Sequence, residues 1–374
     1  MKMKNLPKGW EETELGETFD FQKKSTIKAG EGLDKGKYKF FTSSDKQTKF
    51  IDKYTQDGGY LIFATGGHAG IHYCNEKFAT STDCFIVKVN NMILSKYVYY
   101  YLFGKIQLLE EGFKGAGLRH ISKGYIQQIK IFYPENKETQ KKIVSILEKA
   151  EKAKEWRKEA DELTKDFLKS VFFGMFLDKS KFDTVKIKDV ILKTENESPV
   201  NDYPNEYFKY VDISSIDNKI GKIISSKRLL GKEAPSRAKQ KIKFNDLIIS
   251  TVRPNLNSVA LIPKHLDNQV CSTGFCVLRA DNKKVLPEFL YQISRSNQFI
   301  KSMNKIAKGA SYPAVSDRDI KNYEIPFPPI ELQNKFASIV KEVEAMKEKQ
   351  KQSKEQIDNL FNALMQKAFK GGLL

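Results

Sequence analysis

The sequence predicts an α+β fold built twice over, each copy a mixed globular part followed by one long helix. Three observations carry that expectation. The chain resembles itself at a separation near 190 residues, short β-branched and aromatic runs alternate with turn residues, and two long stretches keep helical periodicity without proline. At 374 residues there is material for two or three domains, each large enough to bury a core.

The repeat is plainest at the helices. Gln140-Lys-Lys-Ile-Val-Ser-Ile-Leu147 and Gln333-Asn-Lys-Phe-Ala-Ser-Ile-Val340 lie 193 residues apart, and the match continues ungapped to Phe176 and Phe369. Upstream, Lys114-Gly115-Ala116 matches Lys308-Gly309-Ala310 at a separation of 194, and Gly59-Tyr-Leu-Ile-Phe-Ala-Thr65 resembles Asn245-Asp-Leu-Ile-Ile-Ser-Thr251 at 186. A drifting separation is what loop-length changes between two copies of one unit produce. A period this long means a duplicated domain, not a solenoid.

Within each copy, Tyr60–Ala64, Cys84–Val89, Leu247–Thr251 and Phe275–Leu278 read as strands, and Tyr97–Leu102 and Glu288–Ile293 as short helices. Pro134 and Pro329 precede the long helices, and Gly371-Gly372 ends the second. Apolar or small residues recur at Ile143, Ile146, Ala150, Ala153, Ala160, Phe167 and Val171, and in the second copy at Phe336, Ile339, Val343, Met346, Ser353, Leu360 and Leu364. Such spacing predicts a coiled-coil seam, with Ile143, Ile146, Phe167, Val343, Met346, Leu360 and Leu364 as its apolar contacts. Each helix would run roughly 55–60 Å at 1.5 Å per residue. Two such helices in one chain most simply pair with each other, and Arg157 and Gln350 at core positions would fix the register.

The charge points to a polyanion: 64 Lys+Arg against 46 Asp+Glu leave a net +18. The helices carry only about +4 of it, so about +14 falls on the globular parts. Two similar basic surfaces suit a two-part double-stranded DNA site. No apolar run is long enough to span a membrane, and the start lacks the apolar stretch of a secretory signal, so a cytoplasmic protein is expected. Cys74, Cys84, Cys271 and Cys276 form no CxxC pair and read as reduced, buried thiols.

Catalytic signatures are missing. His68 and His72 have i,i+4 spacing without a zinc protease's acidic neighbour, and no metal site is expected. No phosphate-binding loop or nucleophile elbow occurs, and Phe327-Pro-Pro-Ile330 lacks the polar start and aromatic end of a methyltransferase segment. Glu135-Asn-Lys137, Asp217-Asn-Lys219 and Asp281-Asn-Lys283 fit only the short half of a nuclease motif, as chance allows in a lysine-rich chain.

Two polar loops recur in both copies. The first follows a strand, as Thr65-Gly-Gly-His-Ala-Gly70 and Thr251-Val-Arg-Pro-Asn-Leu-Asn257; the second is Lys114-Gly-Ala-Gly-Leu-Arg-His120 and Lys308-Gly-Ala-Ser-Tyr-Pro313. Glycine permits close approach to phosphate, while Arg, Asn, His and Ser bond base edges or phosphates. Candidate DNA-binding residues are therefore Thr65, Gly66, His68, Lys114, Arg119 and His120 in the first copy. In the second they are Thr251, Arg253, Asn255, Asn257, Lys308, Ser311 and Tyr312, with Ser43, Ser44 and Ser214 on weaker polar segments.

The whole chain resembles the specificity (S) subunit of type I restriction–modification enzymes. The resemblance rests on the duplicated plan, the Leu6-Pro-Lys-Gly-Trp-Glu11 start, the Ile325-Pro-Phe-Pro-Pro-Ile-Glu-Leu-Gln-Asn-Lys335 run and the Leu360-Phe-Asn-Ala-Leu-Met-Gln-Lys-Ala-Phe-Lys-Gly371 ending. Phe132-Tyr-Pro-Glu-Asn-Lys137 departs from the family's Pro-Pro-Leu type of segment. The resemblance implies two target recognition domains, at 1–136 and 179–329, each reading half of a bipartite DNA target. Helices at 137–178 and 330–374 would form an antiparallel coiled coil that spaces the halves with pseudo-twofold symmetry. It also implies two methyltransferase (M) subunits and restriction (R) subunits as partners, with S-adenosylmethionine, Mg and ATP held by them and no cofactor in this chain. The rival readings are a stand-alone nuclease or methyltransferase and a DNA-binding or tethering scaffold outside any such system.

Overall fold

The computed structural model describes residues 6–176 and 181–373, so the last two residues of the expected first helix, 177 and 178, lie outside them. The chain divides into two compact units, Met1–Glu159 with Gln350–Leu374, and Ala160–Lys349. Each unit holds one globular part and one half of each long helix.

The first unit runs β1 (Trp10–Glu14), α1 (Leu15–Thr18), β2 (Phe19–Phe21), β3 (Tyr38–Phe41), β4 (Lys49–Ile51), β5 (Tyr60–Ala64), β6 (Ile71–Cys74), β7 (Phe78–Thr80), β8 (Cys84–Val89), α2 (Ser95–Gly104), α3 (Gln107–Glu110), α4 (Lys123–Gln127) and β9 (Lys130–Pro134), then enters α5 (Lys137–Phe176). Its sheets are the pair β1-β9, the four-stranded β2-β8-β5-β6 and the three-stranded β4-β3-β7, in which β3 and β7 are parallel.

The second unit runs β10 (Thr184–Lys186), β11 (Ile191–Leu192), α6 (Pro199–Asp202), β12 (Tyr207–Val211), β13 (Ile216–Asp217), β14 (Lys222–Ile223), β15 (Lys227–Leu230), β16 (Ala238–Ile242), β17 (Leu247–Ser250), β18 (Val259–Leu261), β19 (Gln269–Ser272), β20 (Phe275–Ala280), α7 (Pro287–Ser294), α8 (Asn297–Ile306), α9 (Asp317–Lys321) and β21 (Glu324–Pro326), then α10 (Ile330–Ala368). The sheets recur: β10-β21 answers β1-β9, β11-β20-β17-β18 answers β2-β8-β5-β6, and β15-β12-β19-β16 keeps a parallel pair, β12 with β19, where the first has β3 with β7. The strand expected over Leu247–Thr251 ends one residue early, at Ser250, although Thr251 N still donates to Gly274 O, the residue opposite it in the register.

Period-two alternation explains why the central strands are apolar throughout. Leu61 and Phe63 of β5 face the helices, among Tyr97, Tyr101 and Leu147. Ile62 faces the other way, packing with Phe41, Phe78 and Ile86 toward the second sheet. In β17, Leu247 and Ile249 face the helical side with Phe289 and Phe336, while Ile248 joins Val211 and Phe275. The layers in each copy are therefore helices, a four-stranded sheet, and a second sheet. Each such buried side chain contributes roughly 1.5–3 kcal/mol.

The long helices pack antiparallel. In the first unit Lys154 of α5 pairs with Asp358 of α10 at 3.0 Å and lies over Phe361. In the second, Phe172 and Phe176 of α5 stack on Phe336 of α10 at 5.3 and 5.5 Å between ring centres. The helix ends then meet equivalent helices of the globular parts: Phe369 touches Tyr97 of α2, and Phe176 touches Phe289 of α7.

Part of the seam runs in a different phase from the expected one. Ile143 and Val343 are buried and Ile146 and Leu364 half-buried, but Phe167, Met346 and Leu360 are at least half exposed. Their neighbours Leu168 and Phe361, with Val144, Leu147, Phe172 and Met365, are buried instead. Adjacent apolar pairs such as Phe167-Leu168 and Leu360-Phe361 offer two phases, and a helix of 3.6 residues per turn drifts off a strict heptad. The globular cores choose between them.

One side chain per copy pins helix to domain. Gln140, fully buried in the first turn of α5, accepts a hydrogen bond from Leu94 N at 2.9 Å and donates to Pro134 O at 2.8 Å and Met92 O at 3.3 Å. Gln333 repeats this in α10, accepting from Leu286 N at 2.9 Å and donating to Pro328 O and Lys284 O at 3.0 and 3.1 Å. At the other end of α10, Gly371 takes φ +75°, the left-handed conformation that ends a helix, and Gly372 N returns to Lys367 O.

Candidate nucleic-acid interface

The two recurring loops of each copy, distant in sequence, fold onto one another by the same set of bonds. In the first copy Gly67 N donates to Arg119 O, Ile121 N donates to Thr65 O, and Lys114 and His120 exchange both backbone bonds. In the second, Arg253 N donates to Pro313 O, Val315 N donates to Thr251 O, and Lys308 and Ala314 exchange theirs. The second loop is a tight hairpin in both cases, turning through Gly115 at φ +140° and Gly309 at φ +104°. A Cβ at Gly115 would stand 2.8 Å from Leu118 O, and one at Gly309 2.9 Å from Tyr312 O.

Thr65 and Thr251 are the hinges of this arrangement. Thr65 is buried, and its hydroxyl donates to Asp83 O at 2.8 Å; the Thr251 hydroxyl donates to Gly274 O at 3.0 Å. Both are candidates for touching DNA, and their hydroxyls hold the loop to the residue just before β8 and β20. Gly66 is buried too, clamped by Ser43, whose hydroxyl both accepts from Gly66 N and donates to Gly66 O at 2.7 Å. The His120 ring donates from Nδ1 to Thr65 O at 3.1 Å, and the residue is exposed.

Gly67, His68, Lys114 and Arg119 form the exposed rim in the first copy, and Arg253, Asn255, Lys308, Ser311 and Tyr312 in the second. Asn257 closes the second-copy loop with a left-handed backbone, φ +50°, and is half-buried. Ser44 lies beside the first rim, where its carbonyl accepts from His72 Nε2 at 2.9 Å. Ser214 is exposed, but its hydroxyl donates to Asp212 within its own turn. Ser43, Ser44, His68 and Gly67 line one cleft of about 660 Å³ with Phe103 and Glu110.

Several contributors carried no sequence signal. Glu110 accepts from Ala69 N at 2.9 Å and stands 3.9 Å from Arg119, bracing the first loop from α3. Leu118 occupies the hairpin tip equivalent to that of the candidate Tyr312, and the two are 74% and 68% exposed. On the second sheets, Lys77 lies over Tyr54 at 4.3 Å and Arg228 over Tyr207 at 4.1 Å, cation–aromatic pairs.

The remaining chemistry-bearing residues have structural roles. Asp217 accepts from Lys219 N and Ile220 N, and Asp281 from Lys283 N, so these two Asp-Asn-Lys runs are turns. His72 lies in β6 against Phe41, and burial holds its pKa below the ordinary 6.5. All four cysteines are buried, and burial pushes the Cys84 thiol up to about 12. Among the described residues no cluster of three His, Cys, Asp or Glu is placed to hold a metal ion, and no helix is long and apolar enough to cross a membrane.

The sequence matches the type I restriction modification DNA specificity domain family twice, over residues 7–164 and 179–359. It is 24% identical to the specificity subunit of the type I restriction enzyme MjaVIII from Methanocaldococcus jannaschii, over 96% of this chain and 92% of that one. It is 22% identical to the specificity subunit of the Escherichia coli enzyme EcoDI, over 100% of this chain and 90% of that one. The crystal structure of the type I restriction–modification system S subunit from M. genitalium superposes with a TM-score of 0.62, covering 99% of this chain and 98% of that one. At 16% identity that likeness speaks for the fold alone.

Proposed function

Because the chain belongs to the type I restriction modification DNA specificity family, we propose that each of its copies reads one half of a two-part double-stranded DNA target. The reading domains are residues 1–136 and 179–329. The helices, 137–178 and 330–374, set the gap between half-sites and dock two methyltransferase subunits. S-adenosylmethionine then belongs to those partners, and Mg and ATP to restriction subunits joining the same assembly. The chain's own part is selection and spacing.

The observation that carries this reading is the recurrence of the hinged loop pair, built by the same backbone bonds in both copies but rimmed by different side chains. Common geometry with divergent rims is what two readers of different half-sites require. Phosphates on either side would meet the basic surface of the globular parts.

The test is capture of the tagged chain from its own cell extract, followed by titration of the recovered complex with duplex DNA at several salt concentrations. Recovery of a methyltransferase near two copies per chain is expected. With 6–10 phosphate contacts, affinity should fall about 10³- to 10⁵-fold between 50 and 200 mM salt. A salt-independent affinity, or a chain recovered without a methyltransferase, would contradict the proposal.

A further inference from the structure

Resting on that reading, we infer that Arg253 is the guanine-reading residue of the second copy, supported by Tyr312 and matched by no equivalent in the first. Arg253 and Gly67 are the same position: each stands two residues after the hinge threonine, and each donates its N–H across to the hairpin, to Pro313 O and Arg119 O. Both take a left-handed backbone, φ +49° for Arg253 and +83° for Gly67. Glycine adopts that conformation freely, whereas an arginine there is strained. Such strain at an exposed rim points to use of the side chain.

The arginine's surroundings leave its donors available. Its guanidinium carbon lies 4.6 Å from the centre of the Tyr312 ring, and it makes no ion pair among the described residues. An aromatic face positions a guanidinium without occupying its N–H fork, as a carboxylate would. The first copy is built differently: Arg119 stands 3.9 Å from Glu110, and Leu118 takes the place of Tyr312. A free, planar, braced fork matches the O6 and N7 acceptors that guanine shows in the major groove. Next to Arg253, Pro254 is buried and opens a short 3-10 turn, which Asn257 closes at a second left-handed position.

The experiment uses the complex of the full chain with its methyltransferase and the duplex that this complex enriches from a random pool. Each G·C pair of that duplex is changed to A·T in turn, and affinities are measured for wild type and for Arg253→Ala, Arg253→Lys and Arg253→Gly. At one guanine, in one half-site, wild type should discriminate roughly 5- to 150-fold. Arg253→Ala and Arg253→Gly should reduce that to about twofold or less, leaving the other half-site unchanged. Arg253→Gly should do so with an equal or higher Tm, because it restores the first copy's unstrained residue, so lost folding would not explain the effect.

Unchanged discrimination at every guanine in Arg253→Ala would overturn the inference. So would an even loss on all duplexes that Arg253→Lys restores, which would make Arg253 a phosphate contact. Absence of any enriched sequence with wild type would instead overturn the two-part reading beneath it, and this assignment with it.

Discussion

Replacing Gln140 by Met removes a polar clamp while nearly keeping its volume. The side chain is fully buried, and its two best bonds, 2.9 Å from Leu94 N and 2.8 Å to Pro134 O, join the first turn of α5 to the loop before α2 and the end of β9. Methionine fits the space but offers neither donor nor a strong acceptor. An unmade buried bond costs about 1–3 kcal/mol per orphaned group, so the two together predict a loss of roughly 2–6 kcal/mol. The longer contact to Met92 O, at 3.3 Å, adds little. For a cooperative unit of this size each kcal/mol moves Tm by about 2–4 °C, which gives a fall of about 4–24 °C. Differential scanning calorimetry on the purified chain reads this directly, and Gln333→Met should lower stability comparably in the second unit. A change of less than about 2 °C for both would refute the claim that these amides lock helix to domain.

Three further outcomes are expected. Asp246 and Arg279 make a bidentate pair with both bonds at 2.9 Å, and Asp246 is buried, so Asp246→Ala should cost about 3–5 kcal/mol in urea unfolding; an effect under about 1 kcal/mol would contradict this. Burial holds the pKa of His72 below 6.5 in the fold, against the opposing pull of the Ser44 carbonyl and Asp45. The unfolded chain therefore binds the extra proton, and stability present above about 6.5 is lost as pH falls through 6.5 toward the folded value. The Tm advantage of wild type over His72→Gln should shrink between pH 7.5 and pH 5, and a constant difference would count against it. Gly115→Ala and Gly309→Ala force a methyl group onto strained backbone within 3 Å of a carbonyl oxygen. Each should cost about 1–3 kcal/mol and weaken only its own half-site in binding titrations, and a uniform loss on both would contradict separate readers.

Much of the fold was legible because the duplication let each copy check the other. Leu61, Ile62 and Phe63 align with Leu247, Ile248 and Ile249, and both triplets alternate between a helical layer and a second sheet. The seam's phase was not legible, since Phe167-Leu168 and Leu360-Phe361 each offer two apolar faces and only the globular cores decide between them. The loops could be recognised as recurring, but not that they bond to each other across more than fifty residues of sequence. That long-range pairing turned Thr65 and Thr251 into hinges and left Arg253, Lys114 and Tyr312 on the rim. Leu118 drew no notice as a lone apolar residue; only its equivalence to Tyr312 at the hairpin tip marks it.

Selection of duplexes from a random pool by the chain in complex with its methyltransferase tests the central claim most directly. The account predicts two short defined segments separated by a fixed run of unconstrained bases. A single continuous segment would contradict it, as would enrichment that survives unchanged when the rim residues of one copy are replaced.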